Sequence, residues 1–279
     1  MNIDKHFGGR LIRNSLGEYY HISIDINGYE GPFSALLSNN SLVDYIRNVP
    51  DVNGESLLSL DEINTENLFH SSILYFDIET LGFGNVPVFL IGTGRFEDYI
   101  YRMEFYLARN PTEEKPIINE LCNVLGDYPF LCSFNGRSFD LEHILKRAKL
   151  HRERRHVNGI SDENISIVRR KVQEKTKHID IYRAICNLKK KKERGFDHLD
   201  DLTLKSLEYF LFGFERYSNI DGRKIQTYYN NFVYRPYQKN SIDNMKEIVT
   251  RNIFDVIGMP AVLFFLLRGE SLENKIFEK

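Results

Sequence analysis

From Ser72 onward the apolar residues fall into two spacings. Ile73-Leu74-Tyr75-Phe76-Asp77-Ile78-Glu79 is an apolar run that ends in acids, the pattern of a buried strand. Pro87 to Thr93 reads as a second strand and Tyr99 to Tyr106 as a third, and their close spacing predicts an antiparallel meander. From Thr112 to Leu125 the spacing turns helical, with Ile117, Ile118, Leu121, Val124 and Leu125 on one side, Thr112 as N-cap and Pro116 early enough to be tolerated. Phe130 to Phe134 is a short apolar strand, Asn135-Gly136 a turn, and Ser138 or Asp140 opens a helix to about Leu150. His178 to Ile181 reads as another short strand. Thr203 to Phe212 and Asp243 to Leu267 read as helices, the second broken near Gly258-Met259-Pro260. Three antiparallel strands followed by alternating helix and strand predict an α/β domain, a mixed sheet flanked by helices.

Residues 1–70 form a preface with a different texture. Leu11 to Ile24 predicts two strands around a turn at Leu16-Gly17, followed by polar sequence with short apolar patches. The expected organisation is a small N-terminal β-rich extension, 1–70, packed on a main domain, 71–279.

Composition narrows the class. At 279 residues, 42% hydrophobic and 27% charged, a folded globular protein is expected. No apolar run approaches the length that spans a bilayer, and Met1 to His6 lacks the apolar stretch of a secretory signal, so no membrane partner is expected. Cys122, Cys132 and Cys186 form no zinc or redox motif and fit free thiols in a reducing, cytoplasmic setting. The formal charge of −2 argues for nothing, but its distribution is uneven. Between Lys146 and Arg194 there are 17 Lys and Arg against 6 Asp and Glu, leaving 20 basic and 33 acidic residues elsewhere. That asymmetry matches either a nucleic-acid footprint beside an acidic centre or a set of solvated helix faces.

The candidate chemistry lies in carboxylates. Asp77 and Glu79 are two apart on a strand and project to one face, where they repel each other unless a cation lies between them. Hard oxygen donors at that spacing suit Mg²⁺ or Mn²⁺; solvated acids at a strand end are the plain alternative. Asp140 either caps its helix or joins the same acidic centre. Arg251 and Asp255 are four apart, on one helix face, and could form a simple surface ion pair.

Taken in order, these pieces resemble the DEDD 3′–5′ exonucleases of the ribonuclease H-like superfamily, and most closely the YprB-type ribonuclease H-like domain. The resemblance is carried by Phe76-Asp77-Ile78-Glu79-Thr80, Phe134-Asn135-Gly136-Arg137-Ser138-Phe139-Asp140, His178-Ile179-Asp180-Ile181, Leu204-Lys205-Ser206-Leu207-Glu208, the stretch 216–229 with Ile220-Asp221-Gly222, and Arg251-Asn252-Ile253-Phe254-Asp255. It runs from about 72 to 268. It implies that Asp77, Glu79, Asp140 and Asp255 hold two divalent ions, Mg²⁺ or Mn²⁺, which support in-line hydrolysis of a phosphodiester. It further implies a DNA or RNA substrate, single-stranded or frayed. Thr80, Asn135, Gly136, Arg137 and Arg251 are the expected nucleic-acid contacts.

One position departs from the family. The His or Tyr expected four or five residues before the last Asp is replaced by Arg251 and Thr250, and arginine cannot act as a base. Either the ions suffice, or His143 substitutes, or the domain is a nucleic-acid-binding module with weakened catalysis. His178 and Asp180 would share a strand face and read either as further ligands or, for Asp180, as the cap of the next helix. His151, His156 and His198 read as surface residues. Arg137 and Arg216 read as phosphate contacts or as solvated or paired arginines. Tyr228, Tyr229, Phe232, Tyr234 and Tyr237 read as a small core or as a base-stacking surface.

Overall fold

A computed structural model of the chain describes residues 3–38, 40–48, 70–82, 84–154, 157–216, 220–238, 240–269 and 271–272. His156 and the residues 217–219 of the expected motif region lie outside these, as do residues 49–69, just before the expected boundary at 70.

The elements run α1 (Asp4–Phe7), β1 (Arg10–Asn14), β2 (Gly17–Asp25), α2 (Ser34–Leu37), α3 (Ser41–Arg47), β3 (Ile73–Thr80), β4 (Val88–Glu97) and β5 (Ile100–Leu107). Then follow α4 (Glu114–Asp127), β6 (Phe130–Ser133), α5 (Asp140–Leu150), α6 (Asp162–Gln173), β7 (His178–Asp180), α7 (Ile181–Lys191), α8 (Leu204–Phe212), α9 (Ile225–Tyr234) and α10 (Ser241–Leu267). Seven strands form one mixed sheet in the order β1-β2-β5-β4-β3-β6-β7. The meander β3-β4-β5 is antiparallel as expected, while β6 and β7 add parallel to β3. The expected hairpin forms at Leu11 to Ile24, and β2 pairs antiparallel with β5, so the N-terminal strands extend the same sheet.

β3 is central, flanked by β4 and β6, and Ile73 to Phe76 are buried on both faces. A continuous apolar run suits that place, because a strand covered on both sides has no solvent face to supply polar residues. The register between β3 and β4 slips between Glu79 and Thr80, so the strand ends where its acids begin to be used.

Three expectations about helices change. The first concerns the start of α4. Thr112 does not cap it: Asn110 accepts from Thr112 N and opens a short 3-10 turn, and α4 itself starts at Glu114 with no side-chain cap. The second concerns α10, which passes through Gly258-Met259-Pro260 without a break. Pro260 lacks the N–H that would bond Val256 O, and the Tyr101 hydroxyl donates to that carbonyl at 2.8 Å instead. A tertiary contact thus satisfies what the proline removes. The third is that α10, 27 residues with a mean hydropathy of 1.5 in its most apolar stretch, is long and apolar enough by length and composition to cross a bilayer, contrary to the sequence expectation. In the fold 83% of that stretch is buried inside the protein, where the helix packs on β3 and β4.

α6 and α7 occupy the basic stretch, and the fold employs many of its cations. Arg147 binds Glu114, Arg152 pairs with Asp162, Arg183 with Asp180, and Lys171, Lys189 and Arg194 donate to the carbonyls of Tyr128, Leu199 and Leu266. Lys190, Lys191 and Lys192 remain exposed at the C-terminal end of α7, where cations oppose the helix dipole favourably. His151 is not a plain surface residue, since its Nε2 lies 2.7 Å from the buried Glu114. His198 is exposed as expected. The aromatic group divides: Tyr229 and Phe232 are core, whereas Tyr234 and Tyr237 are 70% and 90% exposed.

Candidate active site

The end of β3, the start of α5 and the middle of α10 bring the predicted acids toward one point. Oxygens of Asp77, Glu79 and Asp255 lie within 4.8 Å of one another. The period-two spacing places the first two, and Asp255 comes from α10, which crosses the sheet at β3 and β4. Asp140 lies outside that tight group but within its field. It is the first residue of α5, with no side-chain cap bond, so the capping alternative does not hold. Gly136 lets its carboxylate approach: a Cβ there would meet Asp140 Oδ2 at 2.4 Å and Ser133 Oγ at 2.6 Å.

Burial and mutual repulsion oppose ionisation here. Burial, then the charges of Asp255, Asp140 and Glu79, push Asp77 well above the usual carboxylate range, against the pull of Arg251. Burial raises Glu79 to about 7 despite the Arg251 guanidinium. Burial, then Glu79, Asp180 and Asp255, raise Asp140 to about 8. Glu79 Oε1 is buried without a hydrogen-bond partner among the described residues. An unsatisfied buried carboxylate oxygen among three hard donors fits a divalent ion, which would remove the repulsion.

Two of the acids are held by neighbours: Asp77 by Asn252, to which sequence reasoning assigned no role, and Asp255 by Arg216, read from the sequence as a phosphate contact or as a solvated or paired arginine. Asn252 Nδ2 donates to Asp77 Oδ2 at 2.6 Å from a fully buried position. Gly92, paired with Asp77 across β3 and β4, makes room for it, since a Cβ would stand 2.1 Å from Asn252 Oδ1. Arg216 Nη1 donates to Asp255 Oδ1 at 2.8 Å, and its Nε and Nη2 donate to the two oxygens of Glu208 at 2.6 and 2.7 Å. Glu208 is fully buried against Gly258, where a Cβ would lie 2.0 Å from Glu208 Oε1. Burial raises Glu208 to about 7 against the pull of Arg216. The signals were present as glycines inside apolar segments, Gly92 in a strand and Gly258 in a helix, each marking a close approach.

Other candidates resolve differently. His143 is buried and its Nε2 lies 2.8 Å from Val86 O, so it is engaged with the β3–β4 connection rather than with the acids. His178 meets Ser133 Oγ at 2.8 Å, and burial, then Arg137 and Arg183, lower it to about 3, which keeps it neutral. Asp180 caps α7 through Arg183 N and also accepts from the backbone of Asn135 and Arg137, so it fixes the loop that leads to Asp140. Asn135 adopts the left-handed conformation (φ 63°), which asparagine tolerates. Thr80 Oγ1 donates to Gly82 O. Arg216 is an ion-paired, buried arginine rather than a solvated one. Arg251 Nε lies 3.6 Å from Glu79 Oε1 and 3.8 Å from Asp255 Oδ2.

Beside the acids opens a cleft of about 580 Å³. Asp77 and Asp255 form its acidic wall; Arg251, Arg216 and Lys205 supply positive charge; Phe134, Leu204 and Met259 supply apolar surface. Buried clustered carboxylates at the end of an interior strand of an α/β fold, opening on a cleft lined by both acids and cations, form a candidate divalent-metal centre. The sequence profile of the RNase H superfamily matches residues 74–263. The chain belongs to that superfamily, whose members are commonly nucleases that use divalent metals. Among solved structures it is similar to the family B DNA polymerase from the hyperthermophilic archaeon Pyrobaculum calidifontis, at 17% identity and a TM-score of 0.46. The similarity covers 72% of this chain and 26% of the polymerase. No curated protein matches the chain.

Proposed function

We propose that this protein is a metal-dependent 3′–5′ exonuclease that hydrolyses terminal phosphodiesters of single-stranded or frayed DNA or RNA by a two-metal mechanism. The observation that carries the reading is the convergence of Asp77, Glu79 and Asp255 within 4.8 Å, with Asp140 in the same field, in a chain of this superfamily. Asp77, Glu79, Asp140 and Asp255 would hold Mg²⁺ or Mn²⁺, which when bound would activate the attacking water and stabilise the leaving oxygen. The chain's own part is to keep these carboxylates in register, through Asn252 on Asp77 and Arg216 on Asp255. The cleft would take the terminal nucleotide, with Arg251 at its phosphate and apolar side chains at its base. Thr80, Asn135, Gly136 and Arg137 edge the strand and loop that carry the acids and serve as further backbone contacts in this reading.

A second reading is favoured by one observation. Arg251 occupies the position where the family places a base, and His143 is bonded to Val86 O. A nucleic-acid-binding module with weakened catalysis fits that arrangement. Labelled oligonucleotide incubated with Mn²⁺ or Mg²⁺ separates the two, comparing the wild type with Asp77→Ala. Degradation from the 3′ end by the wild type and at least a hundredfold loss in the variant are expected. Equal degradation by both proteins refutes the exonuclease reading. Inactivity of both, with salt-sensitive binding, supports the binding module.

A further inference from the structure

Arg251 stands where the acidic centre needs a cation. Its Nε is at ion-pair distance from Glu79 Oε1 and Asp255 Oδ2, 3.6 and 3.8 Å, and both separations exceed a hydrogen bond. The first of these oxygens has no hydrogen-bond partner among the described residues, and the second is the one that Arg216 leaves over. The guanidinium therefore neutralises two acids without being locked to either. Its side chain is 35% exposed and lines the cleft. Arg216 offers the contrast: 6% exposed and fixed by three hydrogen bonds.

We propose that Arg251 is an exchangeable counter-cation. It holds the metal-free acids together, yields Glu79 and Asp255 to divalent ions, and then turns into the cleft to hold a backbone phosphate of the bound strand. The inference rests on the nuclease reading of this site and adds a coupling to it. Clustered acids cannot all ionise without nearby positive charge, and arginine supplies one charge that it cannot lose by deprotonation. A divalent ion brings two charges to the same oxygens, so it repels the guanidinium while a phosphate attracts it. Metal and nucleic acid then favour each other's binding through one side chain, and by linkage the effect is reciprocal.

The test uses the full chain as wild type, Arg251→Met and Arg251→Lys. Methionine keeps an apolar stem of similar reach, and lysine retains the charge; thermal melts check that each is folded. Calorimetry with Mn²⁺ alone, without nucleic acid, is expected to show Arg251→Met binding about tenfold tighter than wild type, because a competing charge is gone. Arg251→Lys is expected to fall between them. Fluorescence anisotropy of a labelled single-stranded oligonucleotide, with and without Ca²⁺, is expected to show a metal-dependent gain in affinity in the wild type. That gain should be largely lost in Arg251→Met. Equal or weaker Mn²⁺ binding by Arg251→Met, or an undiminished gain, overturns the proposal while leaving the nuclease reading intact. A wild type that binds no Mn²⁺ overturns both.

Discussion

Replacing Glu208 with glutamine probes the buried charge pair that supports Asp255. Glu208 is fully buried and accepts two hydrogen bonds from Arg216, at 2.6 and 2.7 Å. Arg216 is itself buried and passes a third bond to Asp255. A glutamine at 208 keeps the shape but turns one accepting oxygen into a donor that faces a guanidinium, and the cation is left with Asp255 as its remaining counter-charge. Breaking a buried pair from one side costs about 3–5 kcal/mol. The expected result is a loss of roughly that size in urea unfolding followed by circular dichroism. Removing both partners as Glu208→Leu with Arg216→Met deletes the charges together, and stability should recover to within about 1–2 kcal/mol of wild type. Function should not recover with it, because Asp255 has lost the donor that orients it; Mn²⁺ affinity should fall about 10–100-fold, the usual effect of losing a ligand's supporting bond. A loss under about 1 kcal/mol in Glu208→Gln refutes the energetic reasoning. Unchanged Mn²⁺ affinity in the folded double variant refutes the positioning role.

Two further outcomes follow from the geometry. Burial, with mutual repulsion, raises Asp77 well above the usual range, Glu79 from 4.5 to about 7 and Asp140 from 3.8 to about 8. A carboxyl raised on folding stabilises the fold below its unfolded value and loses that contribution as pH rises through its folded value. The urea midpoint of metal-free protein should therefore fall progressively as pH rises from 3.8 to about 8, and Asp140→Asn should flatten the upper part; a midpoint that rises across this window is the contrary result. Tyr101→Phe removes the donor that satisfies Val256 O beside Pro260 and should cost about 1–3 kcal/mol in the same unfolding assay, with a negligible change pointing to another donor at that carbonyl.

Part of this protein is local in its logic and was legible. The Asp77/Glu79 pair needed only the period-two geometry of a strand. The helix at Leu204–Phe212 begins after Thr203, whose side chain accepts from Ser206 N, and Asp180 caps α7 by the same local rule. The hairpin forms as expected, but its turn is Ser15-Leu16, one residue before the expected Leu16-Gly17, because Gly17 already pairs with Asn14 as the first residue of β2. Less legible was α6, whose buried Ile165 and Val168 are few among the charges of the basic stretch. The integrity of α10 was misread because Pro260 looks like a break from within the helix; the group that repairs it sits on β5.

The candidate acids and their order were thus legible in the sequence alone, since residue type and strand or helix period are local properties. Only the tertiary structure decided which charges meet. Asn252 reaches Asp77 across 175 positions, and Arg216 joins Glu208 to Asp255 because α8 and α10 pack at Gly258. The physical reason is that a buried polar group must find its partner wherever packing delivers one, and that place is a property of the whole chain. Arg251 shows both halves. Its type rules out a base, but only its ion-pair distances to Glu79 and Asp255 give it a place between the acids and the cleft.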